Sequence, residues 1–274
     1  WYDRSRIAER IPLLEIDKTA GYYHVAASSI GIKGFEGLNT QILEQLKQAD
    51  VFFLLDGTAS MEPYIKSATT AAKEIVNTLR NDVNFRETSF RFGFRVYRDN
   101  YADKLSKACH RGVCEGMPLS AATCHLNNNA TYENWKQFDD QISQVKETTD
   151  DNDDYPEQLL AGFEQAIQDI ASCKDRTKLL FIIGDNGDRS NQLSTTVVRD
   201  LNNKFNRLIV FFLQAPSAEK SARRPENYRL AYEKFQTQAQ EIIAQLIPAE
   251  FKGKKINRQE YLLALNEKQL VEKI

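Results

Sequence analysis

Three oxygen-bearing side chains follow one another closely at the end of a short apolar segment. Asp56, Thr58 and Ser60 occupy positions i, i+2 and i+4 directly after the apolar run 51–55. A run of this length predicts a buried strand, and a strand that passes at once into a helix can direct all three oxygens to one place. Oxygen ligands suit a hard cation such as Mg²⁺, Mn²⁺ or Ca²⁺. Thr58 and Ser60 also suit ordinary capping of the following helix, so this segment alone leaves both interpretations open.

Two further acidic segments can contribute to the same site. Asp185 ends a second apolar run, and ligand sites in open parallel sheets lie at the carboxyl ends of strands, so Asp56 and Asp185 are expected to share a crevice. The acidic segment 150–157 precedes a predicted helix and lies between the two runs in sequence. Asp154 is its best-placed oxygen donor, and Asp153 is the alternative.

The order of these motifs resembles a von Willebrand factor type A (vWA) domain with a metal-ion-dependent adhesion site, whose first motif is D-x-[ST]-x-S. The chain is similar in particular to bacterial versions associated with protein kinases, including a periplasmic segment of a type VI secretion kinase. The matching motifs are Tyr97-Arg98-Asp99 for Y-R-D, Asp154-Tyr155-Pro156-Glu157 for D-x-P-E, and Gly184-Asp185 for G-D. The resemblance spans about 48–213.

The resemblance implies a Rossmann-like α/β fold and a metal-binding role for five residues. Thr58, Ser60 and Asp154 would contact the cation directly, whereas Asp56 and Asp185 would act largely through bound waters. An Asp or Glu carboxylate from a partner protein would complete the coordination shell. The implied function is a metal-dependent protein-binding module in a bacterial signalling or secretion-associated protein, without catalytic turnover.

A magnesium-dependent phosphatase of the haloacid dehalogenase type is the alternative function. The segment 56–60 resembles the D-K-T-G-T motif of these enzymes, in which Asp56 would be the nucleophile. Asp185 and Asp188 would then position the magnesium ion. Two features oppose this alternative: Gly57 and Thr58 follow Asp56 where an acid or a lysine is expected, and the next helix leaves no room for a flap.

The cysteines form a second group with possible chemistry. Cys109, Cys114 and Cys124 lie in an excursion at about 101–131, and Cys173 follows the predicted helix. Zinc binding and free thiols are the alternatives to disulfides. The spacing of the cysteines matches no common zinc site. Disulfides are favoured because an irregular segment without its own core gains most from covalent closure, and they indicate the periplasm or the exterior of the cell.

Composition excludes several classes of protein. The 274 residues are 42% hydrophobic and 27% charged, with a net charge of -2 and no block of lysine and arginine, so nucleic acid binding is not expected. No apolar stretch approaches the roughly 20 residues of a membrane span, so no membrane segment is expected within the chain. Because the sequence begins at Trp1 rather than Met, we expect a fragment of a longer, membrane-anchored protein.

The order of the predicted elements supports one main domain with additions at both ends. Apolar runs at 51–55, 178–183 and 208–213 are separated by helical patterns, which predicts a mostly parallel central sheet covered by helices on both faces. We predict an N-terminal extension at 1–47, a vWA domain at 48–246 and a C-terminal helical tail at 247–274.

Overall fold

The elements of the chain alternate between strand and helix over most of its length. The computed structural model of the protein describes residues 48–81, 88–99, 109, 112–125, 128–148, 155–190, 205, 208–246 and 262–264. In chain order the elements are β1 Gln48–Asp56, α1 Ile65–Asn81, β2 Ser89–Tyr97, β3 Val113–Met117, α2 Asn128–Ile142, α3 Leu159–Ile170, β4 Thr177–Gly184, β5 Leu208–Gln214, α4 Pro225–Leu246 and β6 Leu262–Ala264. The predicted extension 1–47 lies outside the described residues.

The strands form a single sheet in the order β3-β2-β1-β4-β5-β6. Neighbouring strands run parallel, except that β3 pairs antiparallel with β2. The predicted fold class, α/β with a mostly parallel sheet between helices, is therefore confirmed. Since the strand order reverses between β1 and β4, a crevice opens at the carboxyl ends of these two strands.

Alternate residues of β1 face two separate apolar layers. Phe53 and its neighbours on one face pack with Phe138 of α2 and with α1. On the other face, Phe52 and Leu54 belong to a cluster with Phe163 of α3 and with α4. Because both faces are covered, β4 and β5 are buried throughout, and each contains a continuous apolar run, 179–183 in β4 and 208–213 in β5. Among the described helices, none combines the length and the apolar character that a membrane span requires.

The C-terminal tail differs from the prediction. The sequence predicts a helical tail at 247–274, but Leu262–Ala264, the part of this tail that the structure describes, forms strand β6. β6 pairs parallel with β5 and satisfies backbone groups at an edge that would otherwise be open. The helix prediction is therefore wrong at these three residues, because edge pairing outweighs the helical spacing of the apolar residues.

The cysteine segment also contains more regular structure than the sequence indicates. Val113–Met117 forms the edge strand β3, with Cys114 and Met117 buried against the core. The prediction of disulfides is confirmed: Cys109 bonds with Cys114, and Cys124 with Cys173. All four thiols are used in these bonds, so the zinc alternative has no thiolate ligands.

A buried group of charges lies near the amino ends of the central strands. In this group, the Asp50 cluster, the Asp50 carboxylate accepts hydrogen bonds from Arg91 (Nη2 to Oδ2, 2.6 Å), Arg176 (Nε to Oδ1, 2.6 Å) and Lys178. Arg91 and Lys178 are the register partners of Asp50 on β2 and β4. All four side chains are buried. The parallel register therefore brings three cations around one anion.

The excess donors of the Asp50 cluster bind backbone carbonyls. Arg91 Nη1 donates to Ser120 O (2.7 Å), and Lys178 Nζ donates to Cys173 O (2.9 Å). Burial by itself raises the pKa of Asp50, but the hydrogen bond from Arg91 and the charges of the three cations hold that pKa below its ordinary value. The cluster thus joins the sheet to the segments that carry the Cys124–Cys173 disulfide.

Candidate metal centre

The first loop of the candidate site begins where β1 ends. Asp56 is fully buried, and its Oδ1 accepts hydrogen bonds from the backbone nitrogen (3.0 Å) and the hydroxyl (2.7 Å) of Thr58. The hydroxyls of Thr58 and Ser60 are 3.1 Å apart. Gly57 lies between Asp56 and Thr58, where a Cβ atom would come within 2.6 Å of Val96 Cγ1. The predicted D-x-T-x-S segment therefore directs its three side chains toward one place.

The second loop follows β4 and is joined directly to the first. Ser60 Oγ donates to Asp185 Oδ1 at 3.1 Å, which links residues 125 positions apart in sequence. Asp185 Oδ2 accepts hydrogen bonds from the hydroxyl of Tyr228 (2.9 Å) and from Asn186 Nδ2 (3.0 Å). Asp185 is fully buried. The structure thus brings Asp56, Thr58, Ser60 and Asp185 together, as the sequence predicts.

The third loop contributes Glu157. The predicted donor Asp154 and its alternative Asp153 lie outside the described residues. Glu157, the last residue of the D-x-P-E motif, is only 3% exposed and lies close enough to Asp56 and Asp185 for their charges to raise its pKa. Glu157 belongs to the D-x-P-E motif, but the motif alone predicts no metal-binding role for it.

The buried acids of this site strongly affect one another. Burial, followed by the charge of Asp185, raises the pKa of Asp56 to about 8. Burial likewise raises the pKa of Asp185, against the effect of its hydrogen bonds from Tyr228 and Ser60. For Glu157, burial and then the charges of Asp56 and Asp185 raise the pKa well above its ordinary value. Three acids are therefore close neighbours in one buried region.

Several polar atoms of the site lack a hydrogen-bond partner of regular geometry among the described residues. They include one carboxylate oxygen each of Asp56 (Oδ2) and Glu157 (Oε2), and the hydroxyl of Tyr97. An unsatisfied buried polar atom typically costs about 1–3 kcal/mol, and more when it is charged. Hard oxygen donors with free lone pairs are the ligands that Mg²⁺, Mn²⁺ and Ca²⁺ prefer. The residues present therefore fit a hard divalent cation.

The stability of the metal-free protein should fall as the pH rises. The folded-state pKa of Asp56 is about 8 and the ordinary value is 3.8, so between these values the folded protein holds a proton that the unfolded chain has lost. Raising the pH through this window therefore favours the unfolded chain. We expect the thermal midpoint measured in EDTA to be lower at pH 8 than at pH 5.5.

Saturating Mg²⁺ should reduce this pH effect, because a bound cation stabilises the ionised carboxylates. Thermal melts in matched buffers with Mg²⁺ provide the comparison. A midpoint in EDTA that rises from pH 5.5 to pH 8 would contradict the proposed interaction among the buried acids.

Arg98 contacts the first and third loops of the candidate site. Its Nε donates to Gly57 O (3.0 Å), and its two terminal nitrogens each lie 2.7 Å from a carboxylate oxygen of Glu115. Its backbone carbonyl accepts a hydrogen bond from Gln158 N (3.1 Å), next to Glu157. The arginine of the Y-R-D motif is thus a positioning residue for the first and third loops.

Helix α4 is bound to the loop 185–190 by directional hydrogen bonds. Gly187 N donates to Ala231 O (2.8 Å), and the Gln238 side chain both accepts from Asp188 N (2.7 Å) and donates to Asp188 O (3.3 Å). A Cβ atom at Gly187 would lie 2.6 Å from a backbone nitrogen of α4. With the Tyr228 bond to Asp185, these contacts form a polar seam between α4 and this loop.

The phosphatase alternative receives no support from the position of Asp188. Its Oδ2 accepts a hydrogen bond from Leu160 N (2.7 Å) in the first turn of α3, and its Oδ1 accepts one from Ser190 N (2.6 Å). Both oxygens are therefore used to cap a helix and close a turn. The second magnesium-positioning carboxylate that this alternative requires has a structural role.

Comparison with known proteins identifies one family. A family model described as "TssR protein VWA domain" matches residues 34–247. No curated protein matches the sequence.

Three solved structures illustrate the likeness to larger proteins. The pilus adhesin SpaC from Lactobacillus rhamnosus GG, in its open conformation, is 12% identical over 82% of this chain and 29% of its own, with a TM-score of 0.49. The manganese-loaded TRAP protein of Plasmodium vivax is 12% identical over 82% of this chain and 71% of its own, with a TM-score of 0.42. BatB from Bacteroides thetaiotaomicron is 14% identical over 62% and 68%, with a TM-score of 0.36. The chain thus spans less than a third of SpaC.

Proposed function

Because this chain belongs to the family of TssR VWA domains, we propose that it is a metal-dependent protein-binding module of a secretion-associated protein. Domains of the vWA type are generally interaction modules rather than enzymes, and we assign no catalytic turnover to this one. The observation that carries the proposal is a pair of buried, unpartnered carboxylate oxygens, on Asp56 and Glu157, beside the hydroxyls of Thr58 and Ser60.

Four described residues would hold the cation, which we propose to be Mg²⁺, with Mn²⁺ or Ca²⁺ as substitutes. They are Asp56, Thr58, Ser60 and Asp185, and Asp154 is proposed as a further ligand. When bound, the cation supplies positive charge among the buried carboxylates and an open position for one more oxygen ligand. Thr58 orients Asp56 through two hydrogen bonds, and Ser60 keeps the first two loops together.

The proposed partner is a protein that presents an Asp or Glu carboxylate. Two of the direct ligands are neutral hydroxyls, so they leave the cation with charge to share with an incoming carboxylate. Two disulfides fit an oxidising compartment, and we propose a periplasmic or extracellular location in a membrane-anchored protein. Association with a protein kinase remains a prediction from the sequence resemblance.

Partner binding should depend on both the metal and the Thr58 hydroxyl. In a pull-down from the source organism, we expect a protein that is released by EDTA and recovered with Mg²⁺. Thr58→Ala should lose this protein, because the substitution removes a ligand and the bond that orients Asp56. The half-buried Thr131 of α2 provides a matched control, and Thr131→Ala should retain the partner.

The decisive comparison uses the recovered partner after its identification. Replacing its contacting acid with the corresponding amide should weaken binding as strongly as EDTA does. If the partner binds equally well in EDTA and to Thr58→Ala, the metal-dependent function is wrong.

A further inference from the structure

We propose that Glu157 is a ligand of the same cation, so that the described part of the centre contains a third carboxylate in addition to Asp56 and Asp185. This inference rests on the proposed function, because Glu157 is assigned to the cation already described. The D-x-P-E motif thereby acquires a direct chemical role at its last residue.

The side chain of Glu157 is buried beside the other acids of the site. Glu157 is 97% buried, and its Oε2 has no hydrogen-bond partner of regular geometry among the described residues, although the Thr58 side chain is close enough to oppose the rise in its pKa. Asp56 Oδ2, on a different loop, is in the same situation. Asp56 and Asp185 are the two acids whose charges act most strongly on Glu157. Two unpartnered carboxylate oxygens from separate loops thus occur within one buried region.

Backbone hydrogen bonds on both sides of Glu157 hold this residue against the second loop. Glu157 N donates to Gly187 O (2.8 Å), and Glu157 O accepts from Arg189 N (3.3 Å). The next residue, Gln158, donates its backbone nitrogen to Arg98 O (3.1 Å). With bonds on both sides, the backbone of Glu157 is held against the second loop and its Cα–Cβ bond keeps one direction relative to that loop.

The acids of the site have no compensating positive charge from lysine or arginine in the described part of the chain. In the described part of the chain, Asp56, Asp185 and Glu157 form no ion pair with a lysine or arginine. The nearby arginines are engaged elsewhere: Arg98 pairs with Glu115, and Arg189 pairs with Asp99. A buried carboxylate without a positive partner is strongly disfavoured, so it either takes up a proton or coordinates a metal ion.

A third carboxylate ligand among the described residues should raise the affinity of the domain for the cation. Cation sites in proteins become tighter as the number of charged ligands rises. The free domain should therefore bind the cation without assistance from a partner carboxylate, and Glu157 should account for a large share of that affinity.

The test is a calorimetric titration of the purified chain with MnCl₂ and MgCl₂. Glu157→Gln keeps the size of the side chain and one oxygen but removes its charge. We expect the affinity of this variant for Mn²⁺ to fall by about tenfold to a hundredfold, the range typical of losing a group that supports a metal site. The exposed Glu133 provides the matched control, and Glu133→Gln should bind as the wild type does.

A thermal melt in EDTA separates a ligand from a residue that merely stabilises the fold. Without metal, Glu157→Gln should melt at the same temperature as the wild type or higher, because glutamine keeps the shape of the protonated side chain and cannot ionise beside Asp56 and Asp185. With Mn²⁺, the same variant should gain less stability than the wild type. A structural role predicts a lower midpoint in both conditions, which would overturn the inference.

Wild-type crystals soaked in MnCl₂ provide a measurement that needs no variant. An anomalous peak within about 2.0–2.6 Å of a Glu157 carboxylate oxygen is the expected result. Metal bound at Asp56 and Asp185 but not at Glu157, or equal affinity in Glu157→Gln, would overturn this inference and leave the proposed function in place. Absence of any metal binding by the wild type would overturn both.

Discussion

Replacing Asp50 with alanine should destabilise the protein more than any other single substitution considered for this chain. Asp50 is the anion of the Asp50 cluster, and its removal leaves the buried cations Arg91, Arg176 and Lys178 without a negative partner. Removing one partner of a buried ion pair typically costs about 3–5 kcal/mol in free energy of unfolding. Three cations share this one carboxylate, so we expect a loss at the upper end of that range.

Urea unfolding at pH 7 would measure the loss caused by Asp50→Ala. The exposed Asp175 lies near the cluster in sequence, and Asp175→Ala should change the free energy of unfolding by less than about 0.5 kcal/mol. Because the folded-state pKa of Asp50 is lowered, its contribution is fully present at pH 7 and is lost only as the pH falls below the ordinary value of 3.8. A loss below about 1 kcal/mol would show that the cations find compensation elsewhere.

The second large effect concerns the proposed cation itself. Asp56→Asn should reduce the affinity for Mg²⁺ and Mn²⁺ by more than about a hundredfold, a larger loss than removal of a supporting group produces. Asparagine preserves an acceptor for the two Thr58 hydrogen bonds but removes the charge at the centre of the site. The expected result is a folded protein that no longer responds to the metal.

Thermal melts with and without Mg²⁺ check this result independently of calorimetry. A ligand present at a hundred times its dissociation constant stabilises a folded protein by about 2.7 kcal/mol, and this gain should vanish in Asp56→Asn. Asp140→Asn, an exposed substitution on α2, should retain it. Unchanged metal binding in Asp56→Asn would remove the basis for a cation at this edge of the sheet.

The sequence predicts the fold and the first two loops because each depends on local patterns. Continuous apolar runs identify β1, β4 and β5, and parallel pairing then places Asp56 next to Asp185. Their role as metal-site residues remains a prediction. The cysteine pairing could not be predicted, because Cys124 and Cys173 are 49 positions apart and four cysteines permit three complete pairings.

Other features depend on contacts that no local pattern encodes. Tyr228 is 43 positions from Asp185, and nothing in its helical surroundings distinguishes it from an ordinary packing residue. Glu157 had a signal in the D-x-P-E motif, but only the fold shows its burial. The tail at 262–264 was misassigned because its strand depends on pairing with β5 rather than on its own periodicity.

The polar seam between α4 and the loop 185–190 has a mechanical consequence. Apolar helix packing permits small sliding movements at little cost, because dispersion contacts are short and non-directional. The bonds from Gly187 to Ala231 and from Gln238 to Asp188 are directional, so a shift of α4 by one turn would break them together. Helix α4 therefore has a single position in which all of these hydrogen bonds to the loop 185–190 are formed. A force applied to the chain after α4 would be transmitted through these bonds to the loop that carries Asp185.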